Sequence, residues 1–114
     1  MLRVPFKKLY AEFERVLKKL GFTPERAAAC AAIFAENSRD GVYTHGLNRF
    51  LPFVKRIVEK TVDIHAEPRL IASFGSLEQW DGCYGPGMIN ASACMRRAVV
   101  IAKKQGVGVG ALRN

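Results

Sequence analysis

At 114 residues the chain is long enough for one ordinary domain, or for two small layers sharing a core. Its 49% apolar and 25% charged residues have the balance of a soluble globular protein, and no apolar run approaches the roughly 18 residues of a membrane span. The formal charge of +8 suits an anionic small molecule or, in principle, nucleic acid. The basic residues, however, fall as separated pairs: Lys7 and Lys8, Lys18 and Lys19, Lys55 and Arg56, Arg96 and Arg97, Lys103 and Lys104. Several sit where a helix would end and complement its dipole, and none is interleaved with aromatics on one basic helix, so no nucleic acid is expected as partner. The N-terminus turns amphipathic at once, without an apolar signal core, and cytoplasm is the expected compartment.

Pro5 to Leu20 is predicted as the first helix. Phe6, Leu9, Tyr10, Phe13, Val16, Leu17 and Leu20 recur at three and four, and Gly21 supplies the stop. Thr23 is the expected N-cap of a second helix with Pro24 at its first position. Ala27, Ala28, Ala31 and Ala35 allow close approach on it, and the helix should end by Gly41. A third helix is expected over Leu47 to Lys60, with Leu47, Phe50, Leu51, Val54, Ile57 and Val58 facing inward. Pro52 means that this helix either starts near Arg49 or kinks. Thr61 to Pro68 reads as a connector, and its His65 has the setting of a solvated loop residue.

From Arg69 the pattern changes. Leu70 to Phe74 and Leu77 to Asp81 read as strands joined at Gly75-Ser76, a hairpin signal. Pro86 to Gln105 is predicted helical, with Met88, Ala91, Met95, Ala98 and Ala102 at three-four spacing and Gly106 as stop. Val107 to Leu112 is predicted as a strand parallel to 77–81. The expected fold class is α+β: a three-helix bundle over 1–64, then a β-hairpin and a strand-helix-strand unit over 65–114.

Cys30, Cys83 and Cys94 form no Cys-x-x-Cys pair, and the two histidines do not complete a zinc set, so no metal is expected. Gly106-x-Gly108-x-Gly110 imitates a dinucleotide fingerprint but follows a helix, whereas the fingerprint must follow a strand and open a helix. The Gly82-Cys-Tyr-Gly85-Pro-Gly87 loop lacks the lysine and hydroxyl of a P-loop.

The stretch Gly41-Val42-Tyr43-Thr44-His45-Gly46-Leu47-Asn48-Arg49-Phe50 carries the chemistry. An imidazole, with an unperturbed pKa of about 6.5, can move a proton near neutrality. A guanidinium can hold a carboxylate by two parallel hydrogen bonds. A helix beginning near Gly46 would set Arg49 about one turn from His45, so both could face one small anion. On spacing alone, a helix entry with a capping threonine and a solvated arginine is the favoured reading of the pattern.

The run from Asp40 to Phe50 resembles the signature of the malate/L-lactate dehydrogenase family that is unrelated to Rossmann-type lactate dehydrogenases. Cys30 to Glu36, Glu78 to Asp81 and Gly110 to Asn114 match it in the same order. The resemblance implies reduction of a 2-keto acid by NADH, with NADPH as the alternative. His45 would be the proton donor, Arg49 the partner of the substrate carboxylate, and Thr44, where many relatives have serine, a hydrogen-bonding neighbour of the substrate. It also implies a homo-oligomer, a dimer in the family, and an N-terminal part only, with cofactor-binding residues outside this chain.

Overall fold

The structure, a computed structural model, describes residues 2–114. They gather into two compact units, one running up to Ile64 and the other from His65 to Asn114. The element order is α1 (Phe6–Lys19), α2 (Pro24–Arg39), a single 3-10 turn (Tyr43–His45), α3 (Leu47–Val58), β1 (Arg69–Phe74), β2 (Leu77–Asp81), α4 (Gly87–Gln105) and β3 (Val109–Arg113). This is the α+β class. No helix among the described residues is long and apolar enough to cross a membrane.

The helical unit closes over aromatic rings. Phe13 of α1 stacks on Phe50 of α3 with ring centroids 4.1 Å apart, and Phe34 of α2 meets Phe50 edge-on at 5.3 Å and Phe53 at 5.4 Å. Such offset and edge contacts suit the ring quadrupole and add to the large area each ring removes from water. Around them Leu17, Ala27, Cys30, Ala31 and Ala35 are buried completely. The small residues of α2 let the neighbouring helices approach, and burial pushes the Cys30 thiol up to about 12, which leaves it inert. Thr23 caps α2 by accepting from the Arg26 N–H at 3.3 Å.

The inward face of α3 differs from the sequence expectation. Phe50, Phe53 and Ile57 are buried, whereas Leu47, Leu51 and Val58 are exposed. The helix carries two overlapping apolar stripes, and the one bearing two phenylalanines meets the rings of α1 and α2. Helix α3 also starts at Leu47 with Pro52 inside it, so its beginning is not delayed to Arg49. Pro52 has no N–H for the Asn48 carbonyl, and Asn48 is exposed, where water can serve instead.

In the second unit the sheet order is β1-β2-β3. Strand β1 pairs antiparallel with β2 from Arg69↔Asp81 to Phe74↔Leu77, with a bulge between Leu70 and Ala72. Strand β3 pairs parallel with β2 from Leu77↔Val109 to Asp81↔Arg113, as strand-helix-strand order requires. It begins two residues later than the alternation of Val107 suggests.

Helix α4 meets the sheet along a face that shares Ala98 and Ala102 with the expected stripe and departs from it elsewhere. Met95 and Ala91 are exposed, while Asn90 and Ile101 are buried. The reason is the sheet surface. A Cβ at Gly108 would strike the Ala98 carbonyl and come within 3.0 Å of the Ala102 nitrogen, and one at Gly110 would strike the Cys94 sulfur. Bare glycine backbone on β3 thus receives Cys94 and Ala98 directly. Next to Gly110 in register, buried Glu78 takes a two-pronged ion pair from Arg97 at 2.8 and 3.0 Å and a hydrogen bond from the Trp80 indole at 3.1 Å.

The Arg97 hydrogen bond, reinforced by Trp80, holds the Glu78 carboxyl below its ordinary range. A carboxylate with a depressed folded-state pKa stabilises above its unfolded value and loses that contribution as pH falls through the folded value. Acid titration of unfolding should therefore show a loss of stability below about pH 4 that is shallower in Glu78→Gln. Superimposable acid limbs for the two proteins would contradict this role.

Candidate functional site

The segment carrying Thr44, His45 and Arg49 is built on the end of α2. That helix finishes in a left-handed residue, Gly41 at φ +84, with Val42 N–H returning to the Asn37 carbonyl at 2.8 Å and Gly41 N–H to the Ser38 carbonyl at 3.4 Å. The chain then makes one tight turn: the N–H groups of His45 and Gly46 both reach the Val42 carbonyl, at 3.0 and 3.1 Å. Gly46 leads into α3, whose first orphan donor, the Leu47 N–H, gives to the Ser38 hydroxyl at 2.8 Å. A serine nine residues upstream thus performs the capping that Gly46 cannot.

This arrangement brings the three sequence-selected residues together. The Thr44 hydroxyl lies 3.0 Å from His45 Nδ1, and Arg49 Nε donates to the Thr44 carbonyl at 3.4 Å. All three side chains are exposed. Among the described residues no hydrogen bond engages His45 Nε2 or the two terminal nitrogens of Arg49. The cluster therefore presents one ring nitrogen able to exchange a proton and one guanidinium edge with paired donors. The Thr44 hydroxyl meets the imidazole and, with one donor and two lone pairs, keeps capacity for a further hydrogen bond. A hydroxyl on Nδ1 steadies the ring and leaves Nε2 for chemistry.

Two residues of this site escape sequence reasoning. Asn37 donates through Nδ2 to the His45 carbonyl at 3.3 Å, and Ser38 caps α3. Neither lies at a spacing with a recognised short-range motif; the tertiary return of the chain onto α2 creates both contacts.

Neither glycine cluster fits a dinucleotide phosphate. The side of Gly108 and Gly110 that faces α4 is already filled by that helix. In the 82–87 loop, Cys83 N–H gives to the Asp81 carboxylate at 2.8 Å, Tyr84 N–H to the Asn114 carbonyl and Gly85 N–H to the Gly82 carbonyl, so these donors are spent. Asp81 is a structural hub: the Cys83 N–H first, then Asn114, then Arg113 hold its carboxyl below the usual range. Among the described residues no group of three metal-ligating side chains gathers.

A helical bundle thus presents a Thr-His pair and an arginine within one turn, and a small mixed sheet follows it in the chain. The sequence matches the malate/L-lactate dehydrogenase family over residues 4–114, and the chain belongs to that family. It is 41% identical to a 2,3-diketo-L-gulonate reductase of Escherichia coli over 113 residues, covering 99% of this chain and 34% of that protein. Among solved structures, a malate dehydrogenase of Pyrococcus horikoshii superposes with a TM-score of 0.90 at 31% identity, over 99% of this chain and 33% of its own. A sulfolactate dehydrogenase of Methanocaldococcus jannaschii gives 0.93 at 26%, over 99% of this chain and 33% of its own. The chain spans about a third of the length of these relatives.

Proposed function

We propose that this chain is the proton-donating and substrate-carboxylate-binding part of an NAD(P)H-dependent 2-keto acid reductase. The favoured reaction is reduction of 2,3-diketo-L-gulonate to 3-dehydro-L-gulonate. The observation that carries the reading is the cluster in which Thr44 bridges His45 and Arg49 and leaves Nε2 and the guanidinium edge open. NADH, or NADPH, supplies the hydride when bound, held by residues outside this chain. Arg49 takes the substrate carboxylate in two charge-assisted hydrogen bonds and so fixes the keto group near His45. As negative charge develops on the carbonyl oxygen, protonated Nε2 delivers its proton there, and the ring is left neutral with Nδ1 on the Thr44 hydroxyl.

The test is oxidation of reduced nicotinamide with 2,3-diketo-L-gulonate, alongside malate, lactate and ureidoglycolate in the oxidative direction. In Arg49→Ala the KM should rise about 10- to 100-fold, the size expected when charge-assisted hydrogen bonds are lost, with a smaller change in kcat. An unchanged KM would remove Arg49 from the carboxylate site.

A second reading, an inactive N-terminal fragment or assembly module, draws on the misfit of both glycine clusters to a dinucleotide. Turnover by the chain alone would exclude it. We place the protein in the cytoplasm as a homo-oligomer, a dimer by analogy with the family. Among the described residues strand β3 pairs only with β2 and is exposed along its length, an edge open to further pairing. Size-exclusion chromatography should show association; a clean monomer across concentrations would contradict it.

A further inference from the structure

We propose that Asn37 is a positioning residue for the His45 imidazole, acting through the main chain of the 42–45 turn; this rests on the reading of His45 as proton donor. The argument begins with what fails to hold His45. Its side chain is exposed, so no surrounding core fixes the ring. Thr44 orients the ring at Nδ1, but Thr44 sits on the same exposed turn and moves with it. The ring can be no better placed than the backbone that carries it.

Asn37 grips that backbone at both ends. Its main-chain carbonyl accepts from Val42 N–H at 2.8 Å, where the turn begins, and its side-chain Nδ2 donates to the His45 carbonyl at 3.3 Å, where the turn ends. The amide orientation follows from chemistry, because a carbonyl oxygen can only accept. Helix α3 does not hold the His45 carbonyl. The N–H of Arg49, four residues on and its ordinary partner, goes to the Gly46 carbonyl at 3.0 Å. The clamp therefore belongs to Asn37, which sits in the last turn of α2, a helix anchored by buried Phe34 and Ala35.

The residue type is specific to the task. Serine would not reach, glutamine is one methylene too long, and aspartate has the same shape but, ionised, offers no donor to a carbonyl. Ser38, one position on, caps Leu47 and sets where α3 starts, so the two neighbours fix the turn from opposite sides.

The test uses the chain as it stands, with two variants. Asn37→Asp keeps the volume and removes the donor. Asn37→Ala removes the side chain without placing a negative charge near the end of α2, where the helix dipole disfavours it. Three-bond couplings about the His45 Cα–Cβ bond, measured by NMR, should report one rotamer in the parent and averaging in both variants, with helix content by circular dichroism unchanged. Under turnover with the cofactor-binding residues supplied, kcat should fall about tenfold while KM stays within about twofold, the pattern of a misplaced catalytic group rather than weakened binding. A single His45 rotamer retained in both variants, or unchanged kcat, overturns the proposal. With the cofactor-binding residues supplied, a parent with an ordered imidazole and no turnover refutes the proton-donor reading instead, and the couplings, read on the chain as it stands, then decide the role of Asn37 by themselves.

Discussion

His45→Gln is expected to lower kcat for keto acid reduction by about 100- to 10,000-fold, the range in which a positioned general acid contributes. Glutamine approximates the reach of the imidazole and can hydrogen-bond the carbonyl oxygen, but it cannot release a proton near neutral pH. Binding should survive because Arg49, which holds the carboxylate, remains in place on α3. Folding should survive too. His45 is exposed, among the described residues its side chain hydrogen-bonds only an exposed threonine, and surface changes of this kind usually stay within about 0.5 kcal/mol. Kinetics and thermal unfolding of the same preparation separate the two effects. Turnover within about threefold of the parent would end the case for His45 as the general acid.

Gly46→Ala should have the opposite signature: a large loss of stability with the chemical groups all present. A Cβ on residue 46 would strike the Ser38 hydroxyl and lie 2.8 Å from the Ser38 nitrogen and 2.9 Å from its Cα. The hydroxyl could rotate, although it would then abandon the Leu47 N–H. The nitrogen and Cα cannot, because they belong to the last turn of α2. Relief requires α3 to draw away from α2, loosening the contacts that Phe50 and Phe53 make with Phe34. The expected cost is about 3 kcal/mol, the upper part of the usual range for overpacking. Urea unfolding measures it directly. Gly41→Asn is the informative control. Gly41 has open space at its Cβ and needs only its left-handed φ of +84, which asparagine tolerates. A Gly46→Ala protein as stable as the Gly41→Asn protein would show that close approach, rather than backbone conformation, has been overestimated.

The apolar spacing of α1, the Thr23-Pro24 entry to α2 and the Gly75-Ser76 turn marked their elements because each signal acts within a few residues of itself. The parallel pairing of β2 with β3 followed from strand-helix-strand order. Faces were harder. Helix α3 carries its apolar residues over one broad arc, and local spacing cannot say which part of it will be covered. The rings of Phe13 and Phe34, brought from other helices, selected Phe50 and Phe53 and left Leu51 in solvent. The face of helix α4 was legible only in part, at Ala98 and Ala102, for a related reason. Its buried stripe is set by Glu78 and by the bare backbone of Gly108 and Gly110, all distant in sequence.

The site divides along the same line. Thr44, His45 and Arg49 stand out in the sequence because their spacing on a short segment and their family resemblance are local properties of the chain. Those same properties located the elements, whose periodicity and end signals need no partner. What holds the turn in place was decided only by the tertiary structure. Asn37 clasps the His45 carbonyl, Ser38 caps α3, and Gly46 yields the room for both, each across eight or nine residues. Such contacts depend on how the chain turns back after Gly41, and a hydrogen bond or a van der Waals limit of a few tenths of an ångström has no periodic trace in a sequence.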